Sequence, residues 1–201
     1  MELDREHLAV AQTAARLIVE DGLDYAGARR KAMQEHGEGG RRLRDGPSNE
    51  AIEDEVRAHI AIFHADTQPV ELRALREVAL RWMLRLAEFR PHVGGAVWRG
   101  TATRNSVIRL DLYCDDTKAP EIALLNRGIA YETVSEPLGR GEHSLTLVLD
   151  ERDGRLDDWI TIHLNILDVD DQRGALKPDA RGQTWRGDAV ALQRLLEQEP
   201  S

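Results

Sequence analysis

Residues 106–114 read Ser-Val-Ile-Arg-Leu-Asp-Leu-Tyr-Cys. Ile108, Leu110, Leu112 and Cys114 fall on one side of an extended chain, and Val107, Arg109, Asp111 and Tyr113 on the other. That alternation marks a strand, and it divides the chain. Before Pro91 the apolar residues recur with the helical period; after it the period is two. Length and composition suit a folded domain: 201 residues, 41% hydrophobic and 31% charged, with a single cysteine. The expected fold class is α+β. A helical region over 1–90 is followed by an α/β domain over 91–201, whose mixed sheet has a crossover helix and a C-terminal helix.

Working back from the strand, Val93 to Trp98 reads as a further strand. Four helices are expected before it. Asp4 caps the first, with Leu8, Ala11, Ala15, Ile18 and Val19 at helical spacing and Gly22 as its end. Asp24 opens a second, to about His36. Gly37 to Pro47 reads as a loop. Ser48 or Asn49 opens a third, with Ile52, Val56, Ile60 and Phe63 on one face. Pro69 fits the first turn of a fourth, with a broad apolar stripe from Leu72 through Trp82 and Met83 to Leu86. Working forward, Thr117 to Arg127 reads as a helix closed by Gly128. Strands are expected at 129–135, 143–149 and 159–167. A long polar connection covers 168–186, and a last helix 188–198.

Charge excludes some functions. The net charge is −9, from 36 acids and 27 bases. Neither half of the chain is basic, so nucleic acid is not an expected partner. Arg29, Arg30, Lys31, Arg41, Arg42 and Arg44 form one basic cluster, which reads as a solvated surface. The apolar runs are too short to span a membrane, and the N-terminus has no signal-peptide core, so the expected location is the cytoplasm. The single cysteine excludes an internal disulfide, and Cys114 reads as core. The seven histidines include no pair four residues apart. His59 and His64, five apart, fall on different helix faces, so no metal site is expected.

The stretch Gly94-Gly95-Ala96-Val97-Trp98-Arg99-Gly100-Thr101-Ala102, followed by 106–112, resembles the opening of a nucleotidyltransferase-fold domain of the polymerase-beta-like superfamily. There a Gly-Ser pair is followed by an Arg-Gly-Thr-Ala-like loop and a strand carrying Asp-x-Asp. The resemblance implies phosphate contacts from the glycine turn. It implies Mg²⁺ held by two carboxylates of that strand and a third on a neighbouring strand. Registered on Arg99-Gly100-Thr101-Ala102, this chain places Val107 and Arg109 where the two aspartates belong, and offers Thr161, His163 or Asn165 where the third acid belongs. An aliphatic group and a fixed cation cannot hold a dication. Asp111, about 7 Å further along the strand, reads as a salt-bridge partner of Arg109.

The whole chain is also similar to a group of bacterial proteins with a helical first half and a Gly-Thr-Ala-bearing sheet half. Some are described as nucleotidyltransferases and some as UDP-N-acetylmuramate–alanine ligases. No ATP-binding glycine loop with a lysine supports the ligase description.

Three functions follow as expectations. The first is a non-catalytic nucleotidyltransferase-fold binding or scaffold module with no cofactor. It would contact a nucleotide or phosphate ligand through Gly95, Ala96, Arg99, Gly100, Thr101, Arg104 and Arg109. The second is an active nucleotidyltransferase using Mg²⁺ on a rearranged set, Asp111, Asp115 and Asp168. The third is an interaction module whose helical half binds a protein partner or a second copy.

Overall fold

The computed structural model describes residues 2–36, 46–139, 142–174, 176–179 and 181–199. It is of the α+β class, with seven α-helices and a six-stranded mixed sheet among these residues. Arg41, Arg42 and Arg44 lie outside the described residues. No helix among them is long and apolar enough to cross a membrane. The chain forms two compact units, one from Met1–Val70 with Thr101–Ser106, the other from Glu71–Gly100 with Val107–Ser201.

The first unit is helical. Helix α1 spans Glu2–Asp21, α2 Tyr25–His36 and α3 Asn49–Phe63. Asp4 lies inside α1 rather than capping it. Two other capping expectations hold. Asp24 accepts from the Gly27 N–H at 2.7 Å, and Ser48 from the Ala51 N–H at 3.2 Å, so each satisfies a donor left over in a first turn. Val10, Ala14, Leu17 and Ile18 of α1 pack with Ala28, Ala32, Ile52, Val56 and Ile60. Leu8 and Phe63, expected on the buried faces, are exposed.

Residues 101–106 close the end of α1. Asn105 Nδ2 donates to the carbonyls of Val19 and Glu20 at 3.2 and 3.0 Å, and Thr103 Oγ1 to Val19 at 3.1 Å. These side chains satisfy carbonyls that lack partners within the helix.

The second unit holds most of α4 (Gln68–Arg85) and the sheet. Its strands are β1 (His92–Gly94), β2 (Ile108–Cys114), β3 (Glu132–Gly139), β4 (Glu142–Asp153), β5 (Asp158–Asp168) and β6 (Arg186–Gly187). They lie in the order β3-β4-β5-β2-β1-β6, and only β2 and β5 run parallel. Helix α5 (Gly95–Arg99) joins β1 to β2, α6 (Ala119–Asn126) follows β2, and α7 (Ala189–Gln198) ends the chain.

The alternation at 108–114 is realised. Ile108, Leu110, Leu112 and Cys114 are buried on one face. The α4 stripe is core as well, with Leu75, Val78, Trp82, Met83 and Leu86 buried. Trp82 and Met83 are therefore not open to a partner.

The strand expected over 93–98 stops at Gly94. Gly95 takes φ +64°, which turns the chain, and 95–99 coil into a short helix closed by Gly100 at φ +77°. Arg76 fixes this turn by donating to the carbonyls of Val97 and Trp98 at 3.0 and 3.1 Å. The expected polar connection over 168–186 contains a 3-10 turn at Val169–Gln172. It also contains a tight loop in which Pro178 and Thr184 pair.

Candidate functional site

Strand pairing brings one polar face together. Residues paired on neighbouring strands point to the same side. Arg109 of β2 lies beside His163 of β5, and Asp111 beside Asn165; on the other flank Asp111 lies beside His92 of β1 and Arg109 beside Gly94. Asn165 Nδ2 donates to Asp111 Oδ1 at 2.8 Å and in turn accepts from Thr146 Oγ1 at 3.1 Å. The Arg186 guanidinium of β6 forms an ion pair with Asp111 Oδ2.

Strand β1 separates β6 from β2, and the residue between Arg186 and Arg109 is Gly94. A Cβ at Gly94 would stand 3.5 Å from Arg186 Cγ. Arg186 therefore passes over Gly94 in ordinary van der Waals contact to reach Asp111. A Cβ at Gly95 would stand 3.7 Å from Arg109 Cδ, so the glycine turn lies against the Arg109 stem.

Tyr113 continues this face. Its ring meets His92 edge-on with centroids 5.2 Å apart, and its buried hydroxyl has no hydrogen-bond partner among the described residues. Burial pushes its pKa up, and the charge of Asp111 pushes it further.

Arg99 is placed elsewhere. Its side chain, like that of Asp179, is 3% exposed, and its guanidinium lies 3.2 Å from the Asp179 carboxylate and 4.4 Å over the Trp185 ring. Asp179 also accepts from the N–H groups of Arg181 and Gln183 at 2.8 and 3.0 Å. The Gln183 N–H is the main reason its carboxyl is held below the usual range; it outweighs partial desolvation and is helped by Arg181 and Arg99.

A carboxyl with a lowered folded pKa contributes stability above its unfolded value, and loses it as pH falls through the folded one. Acidification below about pH 4 is therefore expected to release the loop and change Trp185 fluorescence. An Asp179→Asn protein should lack that titration, and an unchanged titration in it would place the event elsewhere.

The remaining expected ligand residues do not all join this face. Ala96 and Gly100 lie in and after α5, in the sheet unit. Thr101 and Arg104 belong to the helical unit. The Thr101 hydroxyl is buried without a hydrogen-bond partner among the described residues, and Arg104 is exposed.

The rearranged acid set is spread out as well. Asp168 pairs with Cys114, an odd number of residues from Asp111, so the two carboxylates project from opposite faces of the sheet. Asp168 instead caps the 3-10 turn, accepting from the Asp170 N–H at 2.8 Å. Asp115 and Asp116 follow β2 directly. Burial pushes the Cys114 thiol up, and Asp116, Asp115 and Asp168 add to it. The native thiol should react with a disulfide reagent about a hundredfold more slowly than the unfolded chain; equal rates would refute its burial.

Two features escaped the sequence reading. Arg186 gives no local signal, because its meeting with Asp111 depends on sheet order. The histidine geometry also differs from expectation. Helix α3 ends at Phe63, and His64 has left the helical path at φ −133°, ψ 17°. The helical wheel therefore does not apply to it, and His59 and His64 both reach Glu20 at 3.0 Å.

No protein-family model and no curated protein matches this chain.

Proposed function

We propose that the chain is a non-catalytic protein of nucleotidyltransferase-like architecture. It serves as a binding or scaffold module, with a nucleotide or another phosphate-bearing molecule as its ligand class. The observation that carries this reading is the state of Asp111, the one acid on the polar face of β2 and β5 among the described residues. Its carboxylate is committed to Arg186 and Asn165.

The parallel neighbour β5, where the resemblance calls for a third acid, contributes His163 and Asn165. Arg109, Asp111 and Arg186 together bring two cations and one anion, so this face does not fit Mg²⁺. The cationic side chains, the glycine turn against Arg109 and the unpartnered Tyr113 hydroxyl suit an anionic ligand with acceptor oxygens.

Equilibrium binding of a fluorescent ATP analogue, with and without Mg²⁺ or Mn²⁺, tests the reading. Binding is expected to be independent of metal, and to weaken about tenfold in Arg109→Ala through loss of a charge-assisted contact. Metal-dependent binding, or transfer of label to an acceptor, would overturn it. The converse experiment is constructive. Arg109→Asp combined with Arg186→Gln leaves two carboxylates at alternate positions of one strand face. This protein is expected to gain Mn²⁺ affinity in roughly the millimolar range.

A further inference from the structure

We propose that Glu20, His59 and His64 form a binding site for a divalent transition-metal ion, Zn²⁺ foremost. The site lies entirely within the helical unit, apart from the face discussed above. Glu20 stands in the last turn of α1, His59 near the end of α3, and His64 at the α3 C-cap.

The imidazole Nε2 atoms of both histidines lie 3.0 Å from the same oxygen, Glu20 Oε1. The three ligand atoms lie within 4.8 Å of one another. In a tetrahedral zinc site, ligands at about 2.0–2.1 Å from the metal stand roughly 3.3–3.5 Å apart. The two Glu20–histidine distances need to open by a few tenths of an ångström, and the two histidine nitrogens, within 4.8 Å of each other, to close by no more than about 1.5 Å, which side-chain rotation supplies.

The backbone holds these groups in place. The His64 N–H donates to the Ile60 carbonyl at 2.8 Å, and the His64 carbonyl accepts from Thr67 and Gln68 at 3.2 and 2.9 Å. The Glu20 carbonyl accepts from Asn105. Fixed backbones reduce the ordering cost of assembling three ligands.

Charge favours a cation at this place. The site gathers the C-terminal ends of α1 and α3, where the helix dipole is negative. Neither helix carries a basic residue in its last turn to offset that field. A metal takes the bare nitrogen of an imidazole, so with the ion on Nε2 the remaining ring proton sits on Nδ1.

Donor type selects the ion. Two nitrogens and one carboxylate suit Zn²⁺, with Cu²⁺, Ni²⁺ and Co²⁺ as competitors; Mg²⁺ and Ca²⁺ prefer oxygen. The histidine side chains are 18% and 24% exposed, and Glu20 is 42% exposed. The site is therefore open to water on one side, which leaves a fourth position for a solvent molecule. An ion there would tie the end of α1 to the end of α3.

Calorimetric titration of the chelator-treated full chain with ZnCl2 at pH 7.5 tests the site. One equivalent is expected to bind with a dissociation constant in the micromolar range or below, and His64→Ala and Glu20→Gln should each weaken it about 100-fold. Co²⁺ should give tetrahedral visible absorption bands that both substitutions abolish, and Mg²⁺ should not displace it. Glu20→Gln keeps the size of the side chain, so it serves as the reading if His64→Ala fails to fold. Failure of the wild-type protein to bind Zn²⁺ at 100 µM would overturn the proposal (a ceiling about a hundredfold above the expected constant). Affinity unchanged by Glu20→Gln would overturn it equally, since the ion would then sit elsewhere.

Discussion

Gly187→Ala is expected to lower the melting temperature by about 8 °C, corresponding to about 3 kcal/mol in a domain of this size. A Cβ at Gly187 would lie 2.1, 2.2 and 2.7 Å from three carbons of the Trp98 indole. A rigid ring cannot give way as the tip of a flexible side chain does. Trp98 is also held by its indole N–H, which donates to the Thr184 carbonyl at 2.9 Å. Relief requires either that the ring swing out and lose this bond, or that β6 part from β1 at the Val93–Gly187 pair. Both routes expose buried surface.

Thermal unfolding followed by circular dichroism measures the loss. Gly154→Ala is the control, because a Cβ there meets nothing within 4 Å. Adding Trp98→Ala to Gly187→Ala should recover part of the stability, since the two changes share one contact. A Gly187→Ala protein that melts with the wild type would show that the ring does not lie against this strand.

Gly22→Ala is expected to be comparably damaging, at about 3–4 kcal/mol, for two reasons that add. Gly22 has φ +68°, a left-handed conformation that costs an alanine about 1–2 kcal/mol. The new Cβ would also stand 2.2 Å from the Asn105 carbonyl oxygen, which is backbone and cannot rotate away. The segment 101–106 would have to withdraw from the end of α1. The Asn105 bonds to the Val19 and Glu20 carbonyls would then be lost.

Chemical denaturation gives the magnitude. Hydrogen exchange should show the added opening concentrated at the end of α1 and over 101–106. A protein of wild-type stability, with exchange unchanged there, would contradict the steric reading.

These glycines show how far each part of the molecule was legible. Gly22 was readable as a helix end, because a residue that tolerates positive φ follows an apolar helical period. That Asn105 fills the space beside it was not readable. Gly187 carried no local sign, since its reason is an indole 89 positions earlier in the chain. The candidate face divides in the same way. That Val107 and Arg109, rather than acids, stand at the two positions the resemblance singles out is plain in the residues. Structure adds that Val107 precedes β2, which begins at Ile108. It adds that Arg99 is taken up by Asp179, and that Asp111 answers to Arg186 and Asn165.

What the amino-acid order settled by itself was local. It set the period of each segment, the caps at Asp24 and Ser48, and the lack of paired acids along β2. Such features rest on backbone hydrogen bonds and side-chain alternation within a few residues. Folding alone decided which distant groups meet: Arg186 with Asp111 across β1, and two histidines with Glu20 where α3 stops. Those meetings depend on strand order, on register and on where a helix ends against its neighbour. Each is set by burial of the whole core, and no short stretch of chain encodes it.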